Sequence, residues 1–454
     1  MKKVQQLIAN KGVTFLNAFV TTPICCPSRS SILTGKYLHN HHTVNNSVSG
    51  GCSNFNWQQN QEKQSFAVPL HHAGYKTFYA GKYLNQYGEK KTGGTKHIPL
   101  GWDWWLGLVG NSRYYNFTLS VNGSAKHYKE DYLTDVIKDY ALQFIQQLNP
   151  KEKFLMMLSP PAPHAPFEPA VKYKDTYRNV TALRTPNFNV PVTKNKHWLM
   201  RMQPSPLPTS LLPTLNKIYH RRWETLLSVD DMVESVMNEL ENKRILNDTF
   251  IIYTSDHGFH IGQFGLPWDK RQPYEFDIRV PLLVRGPGIP EKKVVSQPVL
   301  NIDLAPTIVD MAGLSFAEER DGKSFLPFLK HPGQYYGRKF LIEYEGEGSK
   351  RSISPSCSLP QDNTLAECSI EASCKCQDSR NNTYECIRHL NRNVNFIYCQ
   401  FEDREKFVEA YDLVKDPYQM QNIGSTLDSK ATKFYKDALQ ILLKCRGFEC
   451  SVFS

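Results

Sequence analysis

The chain has 454 residues, 40% of them hydrophobic, enough to bury a large α/β core and a smaller second part. No stretch approaches the roughly 18 consecutive apolar residues of a membrane span. Lys and Arg outnumber Asp and Glu by 54 to 44, a net charge of +10. The basic residues are scattered; such charge suits a polyanionic substrate, and so also nucleic acid, or is simply a soluble surface, and of these a nucleic-acid partner is not expected.

In chain order, residues 4–20 are expected to form a short helix followed by a strand over 13–20. A helix runs from Pro27 to Leu33, Pro27 suiting a first turn. The polar stretch 35–64 is a predicted loop, whose His39, His41 and His42 either line a cleft or are merely solvated. Residues 74–84 contain a strand that ends in Gly81-Lys82, presenting an ammonium at a strand end. Over 131–148, Leu133, Val136, Ile137, Tyr140, Ala141, Phe144, Ile145 and Leu148 recur at steps of three and four, an amphipathic helix.

The apolar run 154–158 fits a buried parallel strand. It leads into a proline-rich turn holding His164 just past a strand end, where open α/β sheets bind ligands. Residues 172–213 are expected to be a surface excursion and 215–240 a helix. A second buried strand, 249–254, runs into Ser255-Asp256-His257-Gly258. Asp269-Lys270-Arg271 falls in a loop, 281–284 is a third strand, and Asp303 is a possible helix cap. Near residue 330 the composition changes: strands over 340–344, 395–399 and 407–413, separated by Cys-rich turns, look antiparallel. The expected division is therefore 1–330, a catalytic α/β domain, and 331–454, a smaller Cys-rich α+β part.

Six N-x-S/T acceptor patterns, at Asn45, Asn116, Asn122, Asn179, Asn247 and Asn381, favour a secretory route. Eleven cysteines are present. Cys357, Cys368, Cys374, Cys376, Cys386 and Cys399 crowd one region, and Cys445 and Cys450 close the chain. This pattern implies a disulfide framework of undetermined connectivity. Zinc is the competing reading, weakened because Cys374-x-Cys376 lacks the usual two-residue gap.

The segment Cys25-Cys26-Pro27-Ser28-Arg29-Ser30-Ser31-Ile32-Leu33-Thr34-Gly35 resembles the sulfatase signature C-x-P-S-R-x-x-x-L-T-G without a break. The segment around Gly81-Lys82 resembles the second signature of that family. The resemblance implies an alkaline-phosphatase-like α/β fold with a mixed, mostly parallel sheet and a C-terminal antiparallel subdomain. It implies that Cys25 is oxidised to formylglycine by the formylglycine-generating enzyme in the ER. A thiol nucleophile would leave a stable thiosulfate ester, whereas a hydrated aldehyde attacks sulfur with one hydroxyl and expels sulfate by re-forming the aldehyde. It further implies that Arg29 holds the hydrate, that Lys82 and Lys270 grip sulfate oxygens, and that His164 contacts sulfate or protonates the leaving oxygen. Asp256 and His257, with the modified Cys25, would face a divalent cation, calcium by preference for oxygen donors.

The departure from the family pattern is upstream. Sulfatases of this kind carry an Asp-Asp pair at the end of their first strand, whereas the first acidic residue here is Glu62. No apolar signal-peptide core is seen either. The expectation is a chain that begins too late, with an incomplete calcium site and a missing central strand. Segments such as Lys194-Asn195-Lys196-His197-Trp198-Leu199, Ser228-Val229-Asp230-Asp231 and Tyr274-Glu275-Phe276-Asp277 resemble lysosomal sulfatases acting on the 6-sulfate of N-acetylglucosamine in heparan or keratan sulfate. Extracellular heparan 6-O-endosulfatases share several of these but carry a long basic insert that this chain lacks. An inactive sulfatase-fold protein is the alternative, while Cys25 argues against a phosphoester hydrolase using Ser or Thr.

Overall fold

The computed structural model describes residues 1–149, 151–192, 194–347, 373 and 375–451. A five-stranded sheet runs in the order Ser124–Tyr128, Phe117–Val121, Trp104–Leu108, Lys76–Gly81, Phe154–Ser159. Lys76–Gly81 is parallel to both its neighbours, and the two outer strands form an antiparallel hairpin extension. One face carries the helix Leu133–Gln147, which buries Leu133, Val136, Ile137, Ala141, Phe144 and Ile145 as the three- and four-residue spacing requires. Each of the larger ones contributes about 1.5–3 kcal/mol when fully buried. The long helix Leu212–Asn242 packs beside it. The other face is aromatic, with Trp57, Phe66, Tyr79, Tyr83 and Trp105 in one cluster.

A second sheet has the order Lys293–Val295, Val13–Phe15, Leu282–Arg285, Ile251–Thr254, with only the first pair parallel. The expected strand over 13–20 is two pieces, Val13–Phe15 and Ala18–Phe19, the latter pairing with Val299–Leu300. The C-terminal sheet, Arg338–Tyr344, Tyr384–Leu390, Asn395–Phe401 and Val408–Asp412, is wholly antiparallel. Sequence reading missed its second strand. The helix Ser429–Leu442 packs on this sheet, whose core is continuous with that of the Val13–Phe15 sheet.

Two strands expected to be buried are only half-buried: Phe154–Ser159, apart from Ser159, and Ile251–Thr254. Each is an end strand among the described residues, and both line one cavity of about 880 Å³. The helical residues Val229, Met232, Val236 and Leu240 form another wall of that cavity. No described strand lies between the two edges.

Other expectations need correction. The 35–64 stretch contains helical turns at Leu38–His41 and Trp57–Gln61. The 172–213 excursion is not all surface. Lys196, His197, Trp198, Leu199 and Met200 are buried, because Lys196 donates to the Tyr411 hydroxyl at 2.6 Å and the His197 amide donates to Glu409 at 2.8 Å. Asp303 caps the turn 301–303 that leads into the helix, its carboxylate accepting from the Leu300 amide at 2.8 Å, but makes no cap bond to the α-helix proper. The same carboxylate takes two bonds from Arg338, which ties the C-terminal sheet to the catalytic core. The Asn381 side chain is buried, so the folded chain offers no glycan acceptor there. Disulfides join Cys26 to Cys52, Cys386 to Cys399 and Cys445 to Cys450, while Cys25 is free. Cys357, Cys368 and Cys374 lie outside the described residues.

Candidate active site

Cys25 opens the helix Cys25–Thr34, which ends at Gly35 in a left-handed conformation (φ 72°) whose N–H closes on Ser31 O. The thiol is fully buried at the positive end of the helix, where a negative group is favoured. The Cys26 amide is capped by Asn46 Oδ1 at 2.9 Å, from a residue that sequence reading did not single out.

The strand Lys76–Gly81 brings Lys82 to the same place. Gly81 has φ 112°, and a Cβ there would stand 2.1 Å from Ser159 O. The neighbouring strand therefore admits only glycine, and the chain turns so that Lys82 N donates to Ser159 O at 2.8 Å. The Lys82 ammonium is buried and has no hydrogen-bond partner among the described residues. Burial lowers its pKa from the ordinary lysine value. An unpaired cation aimed into a site of this kind fits a tetrahedral anion such as sulfate.

Past the strand Ile251–Thr254, Asp256 accepts from Arg29 Nε at 2.8 Å and His257 Nε2 lies 3.4 Å from Cys25 Sγ. Arg29 also donates to Lys82 O at 2.5 Å, so one guanidinium ties the helix to both strand ends. Burial opposes ionisation of Asp256, but His257, Arg29 and Lys82 hold its carboxyl well below the usual range. The two histidines are held alike. His257 Nδ1 contacts Gly258 O and His164 Nδ1 contacts Ala165 O, each at 2.7 Å, so Nδ1 carries the proton. His257 Nε2 then faces the Cys25 sulfur, and His164 lies near enough to help lower the thiol's pKa. Tyr114 donates to His164 O at 2.7 Å, a support that local sequence could not reveal.

Lys270 completes the set. Burial works against a Cys25 thiolate, but Lys270, Lys82 and His257 together bring the thiol well below its ordinary value. All seven residues singled out from the sequence (Cys25, Arg29, Lys82, His164, Asp256, His257 and Lys270) thus converge. The histidines of the 35–64 stretch do not. His41 is buried against Ser31 Oγ, and His39 binds Glu343.

The sequence profile of the Sulfatase family matches residues 1–314. The chain belongs to the sulfatase family. It is 47% identical to an N-acetylglucosamine-6-sulfatase from Bos taurus and 46% identical to one from Homo sapiens. The match takes in 99% of this chain and 81% and 82% of those relatives. An extracellular sulfatase SULF-1 homolog from Drosophila melanogaster is 44% identical over 76% of this chain and 31% of its own length. A protein solved in complex with its substrate D-glucosamine-2-N,6-O-disulfate shares the fold, with a TM-score of 0.71 at 24% identity over 96% of this chain and 91% of its own.

As a sulfatase, the chain is a sulfuric ester hydrolase whose family implies a divalent cation. Among the described residues, Cys25, Asp256 and His257 bring ligand atoms within 4.8 Å of one another. They do not by themselves fit calcium, which takes six to eight oxygen ligands. One carboxylate, already paired with Arg29, and one imidazole fall short.

Proposed function

We propose that this sulfatase removes the 6-O-sulfate of N-acetylglucosamine residues in heparan and keratan sulfate, using Cys25 after its conversion to formylglycine. The observation that carries the reading is the free, buried Cys25 at a helix start between Lys82, Lys270, His164 and His257. When present, the hydrated aldehyde supplies a hydroxyl nucleophile that releases sulfate by re-forming the carbonyl. Lys82 and Lys270 hold the sulfate oxygens as negative charge shifts during ester cleavage. His164, as the imidazolium with Nδ1–H held by Ala165 O, gives its Nε2 proton to the departing sugar oxygen. Arg29 fixes Asp256 and the end of the Lys82 strand, and so the spacing between nucleophile and cations.

The reading extends to an ER stage, where the formylglycine-generating enzyme acts, and to a lysosomal destination. It also keeps the division into a catalytic part, 1–330, and a smaller C-terminal part, 331–454. Calcium would require carboxylates beyond Asp256. The gap between Phe154–Ser159 and Ile251–Thr254 opens beside the site, because both flanking strands deliver their C-terminal ends there.

The test is expression through the secretory route, followed by mass analysis of the Cys25 peptide and assay on N-acetylglucosamine 6-sulfate. Conversion of Cys25 with sulfate release from the 6-position is expected. An intact thiol in every peptide, or release from other positions only, overturns the reading. Calcium is expected to leave the melting temperature of this chain unchanged, because the described donors are too few to hold it. If calcium already stabilises the 454-residue chain, its own carboxylates complete the site.

A further inference from the structure

Lys270 sits in a loop whose backbone is held from outside the catalytic part. Its neighbour Arg271 is a non-glycine residue at φ 86°, a conformation that L side chains rarely adopt. Arg271 is wholly buried and bonded on every side. Its amide donates to Pro23 O at 3.1 Å, two residues before Cys25. Its carbonyl accepts from the Tyr384 hydroxyl at 3.1 Å. Its guanidinium donates to Asp269 Oδ2 at 2.5 Å and, through Nε, to Glu347 Oε2 at 2.6 Å.

Glu347 follows the first strand of the C-terminal sheet, and its side chain is fully buried. Its second oxygen, Oε1, accepts from the Asn46 amide at 3.3 Å. Asn46 in turn caps the amide of Cys26. One carboxylate therefore reaches both sides of the nucleophile: the Lys270 loop through Arg271, and the start of the Cys25 helix through Asn46.

We propose that Glu347 is a positioning residue for sulfate ester hydrolysis, fixing through Arg271 the direction in which Lys270 presents its ammonium beside Cys25. The proposal rests on the role assigned to Lys270 above. It gives the C-terminal sheet a task in the chemistry: without that sheet, Arg271 keeps only Asp269 and loses both Glu347 and the Tyr384 hydroxyl, so the turn that aims Lys270 is less firmly held. Glu347 touches neither substrate nor reacting atoms, so its effect must travel through Lys270.

The experiment is a double-substitution cycle read by two methods on the full chain: calorimetric binding of inorganic sulfate, and turnover of an aryl sulfate. Glu347→Gln keeps an oxygen for the Asn46 amide but sets an amide NH₂ against Arg271, so it weakens the Arg271 arm alone. The expected result is sulfate affinity lowered about fivefold to tenfold and kcat lowered about tenfold to a hundredfold, with an unchanged melting temperature. In a Lys270→Ala background the same substitution should change either quantity less than about twofold, because groups acting through one another are not additive. Tyr384→Phe, a milder change, should show the same coupling at about threefold and covers the case in which Glu347→Gln does not fold. Full losses that persist in the Lys270→Ala background overturn the proposal, as does a loss of turnover that tracks a loss of melting temperature. Coupled sulfate binding without any turnover would instead sink the proposed reaction and leave the positioning role standing.

Discussion

At the scale of single residues, the site is a concentration of positive charge around one sulfur. Lys82, Lys270 and Arg29 face Asp256 and Cys25, and the Lys82 ammonium is desolvated without a hydrogen bond among the described residues. A buried cation of this kind costs stability, and the cost is borne for the anion it will meet. Lys82→Met is therefore expected to melt at a higher temperature than the unsubstituted chain while losing turnover. A lower melting temperature would mean that Lys82 serves the fold. Lys82→Ala, His164→Ala and Lys270→Ala should each lower kcat by about 10²–10³-fold, the scale of one lost transition-state donor. Near-normal turnover of an aryl sulfate by all three variants would show that the roles are misplaced.

At the scale of elements, strand ends do the placing. Lys82, His164 and Asp256 each follow a strand terminus, and Cys25 opens a helix. Gly81→Ala puts a methyl group against Ser159 O and adds left-handed strain of about 1–3 kcal/mol. Urea unfolding should register at least that loss, and Lys82 should lose its alignment with Ser159. An unchanged midpoint would mean that the two strand ends can separate freely.

Such short-range features were legible in the sequence. The Cys25 to Gly35 run, the Gly81-Lys82 strand end and the 131–148 periodicity each speak through spacing of a few residues. The supports were not legible, because their partners are remote in the chain. Glu347 lies 76 positions from Arg271 and 301 from Asn46. Asp303 was legible as a local cap, and it accepts from the Leu300 amide, but its second task, binding Arg338 35 positions on, was not. The strand Tyr384–Leu390 hides in a polar, Cys-bearing stretch whose alternation has meaning only between its two antiparallel neighbours.

At the scale of the whole molecule, the C-terminal sheet is bound to the catalytic part by buried charge and by groups that titrate. Burial pushes His39 down, but its bond to Glu343 outweighs this and leaves the imidazole above its ordinary value. Burial, with Glu402 and Glu343 nearby, pushes Glu385 up to about 7. Both groups hold protons more tightly folded than unfolded, so both stabilise the fold in acid and lose that contribution as pH rises through their folded values. His41, His197 and His389, held below their ordinary value by burial, act in the opposite sense over the same range, so the test is a difference: Glu385→Gln should gain melting temperature relative to the unsubstituted chain as pH rises from about 5 to about 8. A difference that does not grow with pH would contradict the assignment. The cavity between Phe154–Ser159 and Ile251–Thr254 bears on handling the protein at all. A strand that bonds on one side only is a template for another chain, and here two such edges stand across one opening. Purified samples should self-associate as concentration rises, and a short extended peptide that fits the opening should keep them monodisperse.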